Sequence, residues 1–256
     1  MDRRTFNQGL GAAVLAPLMA EQRSVAGSSL QIGMLLYPGM YALDLVGPYA
    51  FLAALPNVET HLLWKTLDPV PTINGMRLVP TSLVSACPKQ LDVLFVPGGT
   101  PGTIALMQDN EVLDFLADRG ERARYVTSVC TGSLILGAAG LLRGYKATSH
   151  WHKRDLLPLF GAVPVQDRIV EDRNRITGGG VTSGIDFGLV LASRLRGGEA
   201  ARLQQLINEY DPQPPFEGGT PSKAGPELTA QANQILAAGY EQSRTAALIA
   251  RKRLGL

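Results

Sequence analysis

From residue 30 onward the chain alternates short β-like runs with helical ones, and this alternation restricts the fold more than any other feature. Residues 30–37 read as a buried strand ended by Pro38-Gly39. Leu43, Val46, Ala50, Phe51 and Ala54 recur at helical spacing, which predicts a helix over 42–55. Residues 58–66 are β-like, and short strand pieces over 70–85 surround the hairpin signal Asn74-Gly75. The apolar run 92–96 is stopped by Pro97-Gly98-Gly99, with a helix expected within 102–119. A strand over 124–129 leads into a helix over 132–142. Strand pieces follow near 145–149, 163–171 and 174–177, then helices over 184–195 and 199–210. A loop rich in proline and glycine from Pro212 to Pro226 precedes a last helix over 227–254. Strands that alternate with helices in this way require right-handed crossovers. The expected fold is a doubly wound, mostly parallel sheet with helices on both faces. One such α/β domain spans 27–256, with a C-terminal helical segment, and ligands should sit at the carboxyl ends of its strands.

Composition narrows the function. Among 256 residues, 24 Lys and Arg stand against 22 Asp and Glu, a balance that gives no electrostatic case for nucleic-acid binding. Two cysteines exclude a disulfide scaffold and a cysteine-based zinc cluster. No apolar run is long enough for an ordinary membrane span. The N-terminus reads differently from the rest. Arg3-Arg4-Thr5-Phe6, a mildly apolar stretch over 9–20 and Ser24-Val25-Ala26 follow the order of a signal peptide. The paired arginines resemble the twin-arginine export motif. We expect residues 1–26 to be a twin-arginine signal peptide and the mature chain to be periplasmic, without stable membrane association. The alternative is a cytoplasmic protein with an N-terminal extension.

The chemistry concentrates in Tyr125-Val126-Thr127-Ser128-Val129-Cys130-Thr131-Gly132-Ser133, an apolar strand that ends at a cysteine and turns at once into a helix. This is the layout of a nucleophile elbow. A helix N-terminus lowers a thiol pKa, and first-turn amides can hold developing negative charge. The alternative is a small buried core cysteine. Cys87, before Pro88, has no such setting and reads as structural. Asp44 stands alone among apolar and small neighbours after the first strand, so it is either a buried acid with a raised pKa or a helix N-cap. Pro97-Gly98-Gly99-Thr100 ends another strand at the same edge, where two glycines let backbone amides approach a substrate or simply make a turn. The turn from Thr177 to Gly184, with Gly178, Gly179 and Gly180, lacks the Gly-Lys-Ser/Thr ending of a phosphate loop. His150 and His152 lack further ligands for a metal, although His150 could reach the same edge. We expect Gly98, Gly99, Thr100, His150 and Gly180 to bind substrate, and neither metal nor organic cofactor to be required.

Together these stretches resemble the ThiJ/PfpI superfamily, relatives of class I glutamine amidotransferases with a flavodoxin-like sheet. Within it the likeness is greatest to the isonitrile (isocyanide) hydratase branch, over residues from about 30 to about 250. The resemblance implies Cys130 as nucleophile, Asp44 as its acidic partner and Thr131 as a residue whose hydroxyl and amide face the site. It also implies a homodimer acting on a small-molecule isocyanide. Peptidase branches place His after the nucleophile, where this chain has Thr131, and amidotransferases need a His-x-Glu pair, where this chain has His150-Trp151-His152-Lys153. Three other readings belong to related proteins. They are a ligand sensor with a C-terminal helix-turn-helix, a redox or stress protein whose cysteine oxidises, and a glyoxalase- or deglycase-like enzyme, whose usual Glu is absent.

Overall fold

The computed structural model describes residues 29–256. The expected signal peptide, residues 1–26, lies outside that range. Strand β1 (Leu30–Leu35) is followed by helix α1 (Ala42–Leu52), strand β2 (Val58–Trp64), the short strands β3 (Val70–Pro71), β4 (Arg77–Leu78) and β5 (Ser82–Leu83), and strand β6 (Val93–Val96). Helices α2 (Thr100–Leu106) and α3 (Asn110–Arg122), strand β7 (Tyr125–Val129) and helix α4 (Gly132–Ala138) come next. Strands β8 (Lys146–Ala147), β9 (Val163–Pro164), β10 (Ile169–Asp172) and β11 (Arg175–Gly178) lead to helices α5 (Ser183–Arg196), α6 (Gly198–Ile207) and α7 (Pro221–Arg253).

The main sheet has the order β10-β11-β7-β6-β1-β2-β5. Every pairing in it is parallel except β10 with β11 at the edge. Helices α1, α5 and α6 pack together, and α2, α3, α4 and α7 form a second group. The strands are apolar because both faces are covered: β6 and β11 are buried at every residue. Phe95 of β6 meets Phe187 of α5 with ring centroids 5.6 Å apart. The chain leaves β1 outward to β2 and returns to β6 on the other side of β1. Such a reversal opens a crevice at the carboxyl ends of the two strands.

Several boundaries differ from the sequence expectation. The helix within 102–119 is two helices, because the Asp109 side chain caps α3 by accepting from the Val112 amide at 3.3 Å. The helix over 132–142 stops at Ala138, and Gly140 follows with φ +79°. A 3₁₀ turn over Arg154–Phe160, ended by Gly161 in the left-handed region, was not evident in the pattern. The last helix is capped by Thr220, and Gly225 interrupts it with φ +81° before one continuous run to Arg253. Beyond Tyr210 the chain therefore holds a single kinked helix and not a helix-turn-helix pair.

Candidate active site

Cys130 directly follows β7 and adopts φ +58°, an uncommon conformation for a residue with a side chain. Four hydrogen bonds hold it there. Its amide donates to the carbonyls of Gly178 (3.0 Å) and Gly179 (2.7 Å). Its carbonyl accepts from the hydroxyls of Ser133 (3.2 Å) and Ser149 (3.0 Å). The elbow expected from the sequence is present, and Cys130 is only 5% exposed.

Asp44 lies in the first turn of α1 and is fully buried. Tyr41 occupies the N-cap position, and the Asp44 carboxyl group turns instead to the glycine turn after β6. There Oδ2 accepts from the Gly98 amide at 3.0 Å. Oδ1 has no partner in the hydrogen-bond network and is the oxygen left for the neighbouring thiol. Of the two roles open to Asp44, capping is not the one its contacts serve. Burial raises its pKa to about 7, opposed by the Cys130 thiol and the Gly98 amide.

The thiol departs from expectation. Burial, followed by the charge of Asp44, pushes Cys130 up, while the amide and hydroxyl of Thr131 pull it down. A helix N-terminus alone would lower it, but here it is outweighed by a dry site and an acidic neighbour. Cys130 and Asp44 each contribute to the other's shift, so their titrations are linked.

Gly98 and Gly99 form the wall opposite the elbow. A Cβ on Gly98 would lie 2.5 Å from the Thr131 nitrogen and 2.8 Å from the Cys130 Cβ, so only glycine fits this approach. Gly99, at φ +135°, donates its amide to Thr131 Oγ1 at 2.9 Å. Thr100 begins α2, and its methyl group faces Gly239 of α7. The His150 ring packs on Gly180, and its Nδ1 accepts from the His152 amide at 3.3 Å. Burial lowers the His150 pKa to about 4, which keeps the ring neutral. Among the described residues, no hydrogen bond links Thr100, His150 or Gly180 to Cys130 or Asp44. The structure thus brings Cys130, Asp44, Thr131, Gly98 and Gly99 together, while Gly180 and His150 adjoin Gly179 and Ser149, which bond the Cys130 backbone, and Thr100 adjoins Gly99.

Sequence reasoning missed several residues here. Ser133 and Ser149 flank the elbow but carry no signal beyond their position near it. Thr103 is wholly buried against Thr131, and Tyr37 is wholly buried against Thr103. Lys153 is also buried, and its Nζ donates to the Gly239 carbonyl and the Ser243 hydroxyl of α7, both at 2.7 Å. Burial lowers its pKa to about 8, while the Cys130 charge acts the other way. A cavity of about 310 Å³ beside the elbow is lined by Ser149, Trp151, Arg154, Gly179 and Gly180, among others. Cys87 is buried beside Arg119, which donates to its carbonyl at 3.2 Å, in keeping with a structural role. Among the described residues no group of three or more His, Cys, Asp or Glu could hold a metal ion.

Known proteins resemble this chain in sequence and in fold. The chain is 56% identical to an isonitrile hydratase from Pseudomonas putida over 196 residues, which is 77% of this chain and 85% of that protein. It superimposes on the crystal structure of a ThiJ/PfpI family protein from Pseudomonas syringae with a TM-score of 0.84 at 50% identity, covering 86% of this chain and 91% of the other. A more distant similarity, 31% over 59% of this chain, is to the HTH-type transcriptional regulator GbdR of Pseudomonas aeruginosa, of which it covers only 44%. The DJ-1/PfpI family description matches residues 31–194, well over half of the sequence. With its elbow cysteine, its buried acid and these relatives, the chain belongs to the DJ-1/PfpI family.

Proposed function

We propose that this protein hydrates isocyanides to N-substituted formamides, with Cys130 as nucleophile and Asp44 as proton donor. The observation that carries the reading is a strained cysteine beside a buried carboxyl group that titrates at about 7. A neutral carboxylic acid next to a thiol is the pairing that addition across a terminal carbon needs. The similarity to the P. putida isonitrile hydratase supports the substrate class.

The Cys130 sulfur adds to the terminal carbon of R–NC as Asp44 gives its proton to that same carbon and takes up the thiol proton. The result is a thioimidate, R–N=CH–S–Cys, with Asp44 again protonated. Water then adds to the carbon; Asp44 gives its proton to the nitrogen and takes one from the water, which leaves R–NH–CH(OH)–S–Cys. Collapse of this tetrahedral adduct expels the sulfur, the hydroxyl proton passes to the sulfur, and R–NH–CHO is released with Asp44 still protonated. The net reaction consumes one isocyanide and one water. Amides of the elbow turn, including that of Thr131, stabilise sulfur when it carries charge. The same reading has the mature chain working in the periplasm as a homodimer. Its supports are the order of the N-terminal residues and the family resemblance.

The test is formamide release from a panel of isocyanides, run beside methylglyoxal. Turnover of isocyanides together with a substrate-sized mass increment on Cys130 is the expected result. Turnover of methylglyoxal alone would move the protein to the glyoxalase class. An absence of any turnover, with reversible oxidation of Cys130, would move it to redox sensing.

A further inference from the structure

A row of buried hydroxyls runs away from the elbow. Thr131 Oγ1 accepts from the Gly99 amide (2.9 Å) and lies 2.7 Å from Thr103 Oγ1. Thr103 in turn contacts the Tyr37 hydroxyl, which donates to the Pro97 carbonyl at 2.7 Å. All three side chains are at most 2% exposed, so the hydroxyls have only each other, the backbone and the thiol as partners. Each hydroxyl has one proton to donate. The Tyr37 proton is committed to Pro97, which leaves Tyr37 oxygen as an acceptor for Thr103. Thr103 oxygen is then an acceptor for Thr131. The Thr131 hydroxyl also touches the Cys130 sulfur. Its single proton therefore has two destinations, Thr103 Oγ1 and the sulfur.

We propose that Tyr37 and Thr103 are positioning residues that compete with Cys130 for the Thr131 hydroxyl proton and so set how readily the thiol ionises. While the thiol is neutral, the donors run Thr131 to Thr103 to Tyr37 to Pro97. When the sulfur becomes anionic, the Thr131 hydroxyl rotates its proton to it, and Thr103 keeps its own bond to Tyr37. No proton leaves any hydroxyl, and only rotors turn. The chain therefore lets the site supply a hydrogen bond to the thiolate that is absent in the resting thiol. Other charged or titratable groups acting on this pair are Asp44 from α1 and Lys153 from the segment after β8, with His150 and His152 beside Lys153. The variants below leave all of them in place.

The proposal rests on Cys130 as the reacting thiol, but its test does not depend on hydratase turnover. In a Cys87→Ser background Cys130 is the sole cysteine, and its rate of alkylation by iodoacetamide against pH reports its ionisation. Thr103→Val removes the competing acceptor and directs the Thr131 proton to sulfur, so the midpoint should fall by about half to one pH unit. Tyr37→Phe turns the Thr103 proton back onto Thr131 and should shift the midpoint in the same direction. Thr131→Val should raise it, and Thr103→Ser should restore the wild-type value. A purely structural role predicts lower melting temperatures and no ordered pattern of midpoints. Should Thr103→Val fail to fold, Tyr37→Phe, which loses one oxygen atom, carries the same directional prediction. Unchanged or rising midpoints in the variants that fold would overturn the proposal, whether or not isocyanides are turned over.

Discussion

In the unfolded chain Asp44 titrates near its ordinary 3.8, and in the folded chain at about 7. Between these values the folded state holds a proton that the unfolded state has lost. Stability therefore declines as pH rises from about 4 to about 7 and stays reduced above that. The ceiling is on the order of 4 kcal/mol, and coupling to Cys130 brings the realised cost below it. Asp44→Asn keeps the shape and an acceptor for the Gly98 amide, but carries no charge. At pH 8 this variant should melt above the wild type, and the two melting curves should converge near pH 4. Its isocyanide turnover should fall on the order of 10²-fold, because the proton donor is gone. A fully active Asn variant would remove Asp44 from the mechanism. Cys130→Ala should keep the fold and less than about a tenth of the rate, since a lost covalent nucleophile costs far more than that. The two roles of Asp44 could not be separated in the sequence, because an acid near a helix start suits a cap and a buried proton donor equally. Its contact with Gly98, 54 residues away, sets the cap reading aside.

The elements of the sheet were legible because the runs that became β1, β6 and β11 are stopped by glycine or proline, and the run that became β7 ends at the elbow cysteine. What failed was continuity. Apolar spacing alone joins α2 to α3, and the Asp109 cap that separates them looks like any surface acid. The placement of α7 against the site was invisible for a related reason. Lys153 sits in a polar His-Lys-Arg stretch that signals exposure, yet two acceptors on α7 hold it inside. Tyr37 and Thr103 were missed because a hydroxyl in an apolar run gives no sign of its partner, and Thr103 meets Thr131 across 28 residues. The glycine turn was recognised as a close approach, and the structure identifies what it approaches. Gly98→Ala would drive a methyl group against the backbone nitrogen of Thr131, which is rigid at the head of α4. We expect a stability loss of about 1–3 kcal/mol and a turnover loss larger than that of Cys87→Ser, which should be close to neutral. Thermal melts and steady-state rates on the two variants check this, and a silent Gly98→Ala would mean that the turn yields without disturbing the elbow.

At the scale of the molecule, one topological reversal sets the ends of β1, β6 and β7 side by side and so assembles Asp44, Gly98 and Cys130 from three distant stretches. β1 is the strand at the reversal. This bears on export. A twin-arginine route carries a folded protein, so a buried acid–thiol pair built in the cytoplasm would cross intact. Cleavage after Ala26 would leave Gly27, Ser28 and Ser29 ahead of Leu30, whose amide makes the first bond of β1, to the Asn57 carbonyl at 2.8 Å. The cut therefore falls before Leu30, the first residue of β1, and the site should survive it unchanged. Changing Arg3 and Arg4 together to Lys should keep the protein in the cytoplasm with its isocyanide turnover intact, because Asp44, Gly98 and Cys130 all lie well beyond them in the sequence. Fractionation of cells carrying each form, with N-terminal sequencing of the periplasmic product, measures both parts. A product beginning at Gly27 and lost from the periplasm in the double-lysine variant is the expected result. Equal periplasmic recovery of both forms, or a native protein that still begins at Met1, would show that the paired arginines do not direct export.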